Sequence, residues 1–257
     1  LQTAHLRKFC RISALSKNTS GLPMLEINNL VVRYGPFLAC DSIDMQVMSG
    51  EIVGIIGPNG AGKSSIARAI TGLIKPASGT ISFLGQSVVG VAPHLLIRRG
   101  LSLVPEGRGL FPHMSVEENL LMGGYSLTSN ERRKTLMERC YSLFPVMKQR
   151  RHQVVGTMSG GQQQMVAVSV GLMGDPKLCI FDEPSLGLAP IVIQQIGETL
   201  EAMRKLDLTV LLIEQNAKLA STVADRIYVL SAGRIQYHDT PGALVENPEV
   251  LEKFLSF

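Results

Sequence analysis

The apolar run Glu51-Ile-Val-Gly-Ile-Ile56 passes without interruption into Gly57, Pro58, Asn59, Gly60, Ala61, Gly62, Lys63 and Ser64, and a helix-compatible stretch, Ser64 to Thr71, comes next. A buried strand must therefore turn sharply into a helix, which restricts the chain to folds built on a strand–loop–helix unit. The spacing fits G-x-x-x-x-G-K-[ST]. Glycines at 57, 60 and 62 let the backbone curl so that successive N–H groups point at one anion. The helix adds its positive N-terminal end. Lys63 is placed to reach the β- and γ-phosphates of a nucleotide, and the Ser64 hydroxyl to ligate Mg²⁺. A glycine-rich strand-to-helix turn with no ligand is the plainer alternative. The full motif in its required context argues against it.

The 257 residues suffice for one large or two small domains with a substantial core. No uncharged apolar stretch reaches the roughly 18 residues of a membrane span, Gln164 to Gly174 coming nearest. Work at a membrane would thus need a partner. The net charge of +4 is mild, and part of it lies in residues 1–23, which carry Arg7, Lys8, Arg11 and Lys17 and no acid. This segment is expected to be a disordered or artefactual extension, with Met24 a natural start; a basic arm for a membrane or nucleic acid is the alternative. Cysteines 10, 40, 140 and 179 show no metal-type pairing and are expected to be reduced thiols in a cytosolic protein.

Residues 24–33, 43–49 and 80–84 predict an antiparallel lobe, the alternation being clearest at Leu25-Glu-Ile27. Ile52–Ile56, Leu101–Val104, Leu178–Phe181 and Thr209–Ile213 predict buried parallel strands. A helix with Ile193, Ile196, Leu200 and Met203 on one face lies between two of them. The alternation implies a doubly wound α/β sheet with its phosphate site at the C-terminal end of a strand. Residues 112–165 break the rhythm. Val116–Met122 and Glu131–Met147 are expected to be helices, the second capped by Ser129 or Asn130 and apolar at Met137, Tyr141 and Phe144. The expectation is an inserted helical subdomain over about 112–165.

Leu178-Cys-Ile-Phe181 ends in Asp182-Glu183-Pro184. A hydrophobic strand ending in an acid, downstream of a phosphate loop, is suited to holding the nucleotide's Mg²⁺. Asp182 would bind the metal directly or through water, and Glu183 would polarise the water attacking the γ-phosphate. A solvated acidic turn is the alternative for this segment alone.

Met158-Ser-Gly-Gly-Gln162, together with these two motifs, resembles the L-S-G-G-Q signature of ATP-binding-cassette ATPases. The resemblance covers residues 24–257, with three motifs in the family's order. It implies an α/β P-loop NTPase core with a parallel sheet, an antiparallel β lobe and the inserted helical subdomain. It also implies a dimer in which the signature of one subunit caps the ATP of the other. Ser159, Gly160, Gly161 and Gln162 would then face a partner's γ-phosphate, in keeping with helix-end electrostatics. By the same resemblance Tyr34 stacks on adenine, Gly57 to Ser65 hold the phosphates, and Ser64, Glu106 and Asp182 form the Mg²⁺ site. Lys63, Glu183 and Gln215 are the expected catalytic residues.

Three positions depart from the common pattern. Glu106 replaces a glutamine, Ala189 an aspartate, and Gln215 a histidine. Val-Pro-Glu-Gly-Arg108, Ser-Leu-Gly-Leu-Ala-Pro190 and Ile-Glu-Gln-Asn216 together resemble the ATP-binding subunits of branched-chain amino-acid importers. That resemblance implies transmembrane permease partners, a peripheral location on the cytoplasmic membrane face, and a second, related ATP-binding subunit, a homodimer being the alternative. Phe111, with Arg108 and Leu110, is expected to be exposed as the docking point for a permease. The alternative functions are a urea or short-chain amide importer, a soluble cassette protein acting on DNA or ribosomes, and a nucleotide-binding regulator that does not hydrolyse, against which Glu183 speaks and for which Gln215 speaks slightly. Basic residues form no continuous stripe with interleaved aromatics, so no nucleic-acid partner is expected.

Overall fold

The structure is a computed structural model that describes residues 23–246. Residues 1–22, with nearly all of the expected extension and Cys10, and residues 247–257 lie outside the described residues.

Two sheets pack on one another. The first is antiparallel, in the order β2-β1-β4-β5, from β1 (Leu25–Tyr34), β2 (Phe37–Val47), β4 (Ser78–Phe83) and β5 (Gln86–Ser87). The expected second strand at 43–49 in fact starts at Phe37, because Gly35 (φ 56°) closes a tight hairpin that pairs Tyr34 with Phe37. Register shifts along β1 break the alternation that would have shown this in the sequence. β5 is too short and polar to be predicted.

The second sheet has the order β10-β9-β3-β8-β7-β6. Its expected parallel strands are β3 (Ile52–Ile56), β6 (Leu101–Val104), β7 (Leu178–Asp182) and β8 (Thr209–Glu214). The structure adds a fifth parallel strand, β9 (Arg226–Ser231), beside β3, and an antiparallel edge strand, β10 (Arg234–Asp239). Successive residues of the inner strands go to opposite faces. Ile52, Ile56, Cys179, Phe181, Val210 and Leu212 join the core under the helices. Val53, Ile55, Leu178, Ile180, Leu211 and Ile213 join the core against the antiparallel sheet. Burial on both faces is why these strands read as unbroken apolar runs.

Helix α1 (Lys63–Ile70) succeeds the glycine loop, and α2 (Pro93–Arg98) precedes β6. Between β6 and β7 come α3 (Val116–Gly123), α4 (Asn130–Leu143), α5 (Pro145–Gln149) and α6 (Gly160–Leu172). The helix expected over Glu131–Met147 is two helices. Pro145 disfavours helical geometry at the residue before it, and Phe144 sits at φ −130°, ψ 80°. Ser129 is the cap of α4, accepting from the Arg132 N–H. Leu136, Cys140 and Tyr141 form its buried face, with Met137 only partly buried. α7 (Pro190–Arg204), α8 (Ala217–Val223) and α9 (Pro241–Val245) complete the described chain. Cys40, Cys140 and Cys179 are free and buried, and burial pushes each thiol up to about 12.

Candidate functional site

Strand register assembles the site. In the parallel ladders Ile56 lies beside Glu214, Asp182 beside Ile213, and Val104 beside Phe181. The strands therefore end together, and their outgoing loops converge on one edge of the sheet: Gly57 beyond β3, Glu106 beyond β6, Glu183 beyond β7, Gln215 beyond β8. A parallel sheet gathers its ligand site at this edge.

The loop from Gly57 to Gly62 can be built only with glycine at two of its positions. A Cβ on Gly57 would lie 2.1 Å from the Leu230 carbonyl oxygen. Gly62 caps α1 at φ 106°, and a Cβ there would lie 2.4 Å from the Ala39 carbonyl oxygen. The first-turn N–H groups of α1, at Lys63 and Ser64, open onto this loop where no intrahelical carbonyl reaches them.

Lys63 is buried at the site's centre. Its Nζ donates to the carbonyls of Gly57 (2.8 Å) and Pro58 (3.1 Å) and pairs with Glu183 Oε1 at 2.9 Å. The two side chains are only 5% and 6% exposed, so each charge is tolerated because the other is present. Glu183 Oε2 also accepts the Gln215 N–H at 3.0 Å, and the Glu183 backbone, at φ 52°, donates to Ile213 O. A positive φ in a glutamate is uncommon and aims the side chain back over the sheet edge toward Lys63.

Asp182 accepts the Ser64 hydroxyl at 3.0 Å. Burial raises its pKa, and the negative charges of Glu106 and Glu183 raise it further, against the Ser64 hydrogen bond. Ser64, Asp182 and the exposed Glu106 thus form an acidic corner. Tyr34, 40% exposed at the end of β1, lies within 3.3 Å of the Ser65 hydroxyl through its own, so the ring flanks the phosphate loop.

Gln215 touches Glu183 through its backbone, while its side chain faces solvent. Ser159 to Gln162 stand apart. Among the described residues no hydrogen bond or ion pair joins them to the phosphate loop. They form a reciprocal cap instead: the Ser159 hydroxyl accepts the Gln162 N–H, and Gln162 Oε1 accepts the Ser159 N–H. The expected exposed trio beyond Glu106 needs correcting. Phe111 is 47% exposed, but Leu110 packs on the core and Arg108 is half-buried, donating to Gln163 Oε1 at 2.7 Å.

Sequence reasoning assigned no role to Glu214 or Ser185. Glu214 is fully buried; it accepts from the Ser185 N–H (2.9 Å), the Ser185 hydroxyl (2.8 Å) and the Asn216 N–H (3.3 Å). Burial outweighs these bonds and pushes its carboxyl up to about 7. The available signal was an acid ending an otherwise apolar strand, Thr209-Val-Leu-Leu-Ile-Glu214.

Residues 40–186 match the ABC transporter family. The chain is 46% identical over 232 residues to the high-affinity branched-chain amino acid transport ATP-binding protein BraG of Pseudomonas aeruginosa, covering 90% of this chain and 99% of that one. It belongs to the ABC transporter family. Against BraF of the same organism, also named a high-affinity branched-chain amino acid transport ATP-binding protein, identity is 29%, with 91% and 98% covered. The crystal structure of the ADP conformation of MJ1267, an ATP-binding cassette of an ABC transporter, superposes with a TM-score of 0.77 at 27% identity, covering 90% of this chain and 98% of that one.

The residues of this ABC transporter subunit fit a magnesium nucleotide. Among the described residues no group of three His, Cys, Asp or Glu side chains could hold a metal by itself. Mg²⁺ does not need one, since it binds through one or two protein oxygens, water and substrate phosphates. The Ser64 hydroxyl on the Asp182 carboxylate supplies that donor set, beside a loop that only glycine can close.

Proposed function

We propose that this chain is the ATP-binding and ATP-hydrolysing subunit of an importer for branched-chain amino acids, working as a peripheral protein on the cytoplasmic face of the membrane. The observation that carries the ATPase reading is the meeting of Lys63, Asp182 and Glu183 at one sheet edge, on a glycine loop and a helix N-terminus. The similarity to BraG supports the solute class. No helix among the described residues is long and apolar enough to cross a membrane, so transport requires permease subunits that do.

Gly57 to Ser65 cradle the triphosphate and Tyr34 packs on the base. Lys63 swings its ammonium from Glu183 toward the β- and γ-phosphates, which frees the Glu183 carboxylate to orient the attacking water and take its proton. Ser64 and Asp182, with Glu106 nearby, would hold Mg²⁺, which when bound would neutralise phosphate charge. Among the described residues Ser159 to Gln162 make no hydrogen bond or ion pair with this chain's own phosphate loop, which supports a role toward a partner's nucleotide in a two-subunit sandwich. That partner is a related ATP-binding subunit. BraG and BraF share one organism and one description, and this chain is much more similar to BraG, which supports a pair of unlike subunits.

The test is reconstitution. The chain co-expressed with its permease subunits should co-purify with them in detergent and release phosphate from Mg-ATP. In proteoliposomes it should drive leucine uptake that urea does not compete. Phosphate release without membrane association would leave a cassette ATPase but overturn the importer.

A further inference from the structure

Two loops leave the sheet side by side at the catalytic edge, and each is held by a carboxylate from the other. Glu183, after β7, accepts the Gln215 N–H at 3.0 Å. Glu214, at the end of β8, accepts the Ser185 N–H at 2.9 Å and the Ser185 hydroxyl at 2.8 Å. Its second oxygen also takes the Asn216 N–H at 3.3 Å. The two contacts form a reciprocal clasp around Pro184 and Gln215.

The clasp is costly to build with a charge. Glu214 is 0% and Ser185 5% exposed. The charged group acting on Glu214 is Glu183, a like charge, and the nearby cation Lys63 is committed to Glu183 at 2.9 Å. A neutral acceptor would satisfy one backbone N–H with a smaller desolvation cost. An ionised carboxylate is acceptor-only on both oxygens and so takes all three donors without giving up a site to a proton.

We propose that Glu214 is a positioning residue for ATP hydrolysis: by clasping Ser185 and Asn216 it locks the two loops together and fixes where Glu183 points. This rests on Glu183 being the catalytic carboxylate. The acid acts through backbone placement and touches neither nucleotide nor water. Protonation weakens the clasp, because a carboxylic O–H must donate, to the Ser185 hydroxyl, and the Asn216 N–H then loses its acceptor. With the group pushed up to about 7, turnover should rise as pH increases through neutrality.

The experiment uses the transporter assembled from this chain and its permease subunits in proteoliposomes, with Mg-ATP, across about pH 5.5 to 8.5. Glu214→Gln keeps the shape and removes the ionisation. It should lower kcat about 10-fold with KM for ATP changed less than about 2-fold, and should lose the inflection near neutrality. Ser185→Ala deletes only the hydroxyl bond and should lower kcat by roughly 3-fold, adding little in the Glu214→Gln background. Two results would overturn the proposal. One is a Glu214→Gln transporter with wild-type kcat and pH profile. The other is a loss of kcat matched by equal losses of ATP affinity and melting temperature, with Ser185→Ala inert. A wild-type assembly that hydrolyses no ATP would instead overturn the underlying assignment of Glu183.

Discussion

Lys63 and Glu183 neutralise each other where both are nearly buried, so each substitution has a separable outcome. Lys63→Ala strands a buried carboxylate and removes the cation for the phosphates; phosphate release should fall below detection. Glu183→Gln keeps the volume and the Gln215 hydrogen bond but cannot take a proton. ATP should bind while turnover drops at least ~10²-fold, read as retained nucleotide in a filter assay. Glu214 makes a different prediction, about stability. Its folded pKa, about 7, lies above the ordinary 4.5, so the folded chain binds a proton that the unfolded chain releases between those values. The stabilisation is complete below about pH 4.5 and is lost as pH rises through 7. The full offset corresponds to on the order of 3 kcal/mol. Urea unfolding of wild type and Glu214→Gln at pH 5 and 8 should show wild type losing ground at the higher pH; parallel behaviour would refute the shift. Turnover and stability then run oppositely with pH, as expected where a strained loop serves catalysis.

Among elements, those that carry an unambiguous local pattern were legible in the sequence. Ile52–Ile56 and Leu178–Phe181 are buried on both faces and could be read directly, and their acids and glycines landed at the predicted edge. β2 was not fully legible, since its first residues Phe37 and Leu38 are exposed and bulges disturb its partner. β9 and β10 escape a reading by pattern although Ile227, Val229 and Leu230 are as buried as the strands that it finds. Their hairpin turns at Ala232 and Gly233, both at positive φ, directly after that run. The contacts of Glu214 could not be derived from sequence at all, because its partner Ser185 is brought near by the β7–β8 register rather than by spacing. Two helix starts offer a controlled comparison of cap with site. Ser115 and Ser159 both form reciprocal caps, with Glu118 and Gln162. Alanine at either should cost about 1 kcal/mol in chemical denaturation. Only Ser159→Ala should also depress ATP turnover of the assembled transporter, since Ser115 lies outside the site. Equal effects on turnover would reduce Ser159 to a cap.

At the scale of the whole molecule the proposed site residues fall into two separate groups. The phosphate loop, Asp182 and Glu183 converge, whereas Ser159 to Gln162 present a capped helix N-terminus away from them, half-buried at Gly160 and suited to an anion on another subunit. The neighbourhood that would meet a partner is electrostatically weak in this chain. Gln215 offers a neutral side chain where a protonated histidine would make a charge-assisted bond about twice as strong, and the exposed Ala189 carries no carboxylate. The composite site of a partner's phosphate loop with this chain's Ser159 to Gln162 should therefore be the faster of two, and the chain alone should hydrolyse ATP slowly until the related subunit is added. Gly160→Asp tests this without a folding ambiguity. A carboxylate at a helix N-terminus stabilises the helix, and a Cβ at 160 meets only the flexible end of Arg108, at 3.1 Å from Nη2. The substituted chain should fold and bind its own nucleotide normally. Its carboxylate would repel the partner's γ-phosphate from the same N–H groups, and turnover of the assembled pair should collapse while Gln215→Ala in the same pair changes little. Full activity of this chain as an isolated homodimer, unaffected by Gln215→Ala, would show that both sites are self-sufficient and that no second subunit is needed.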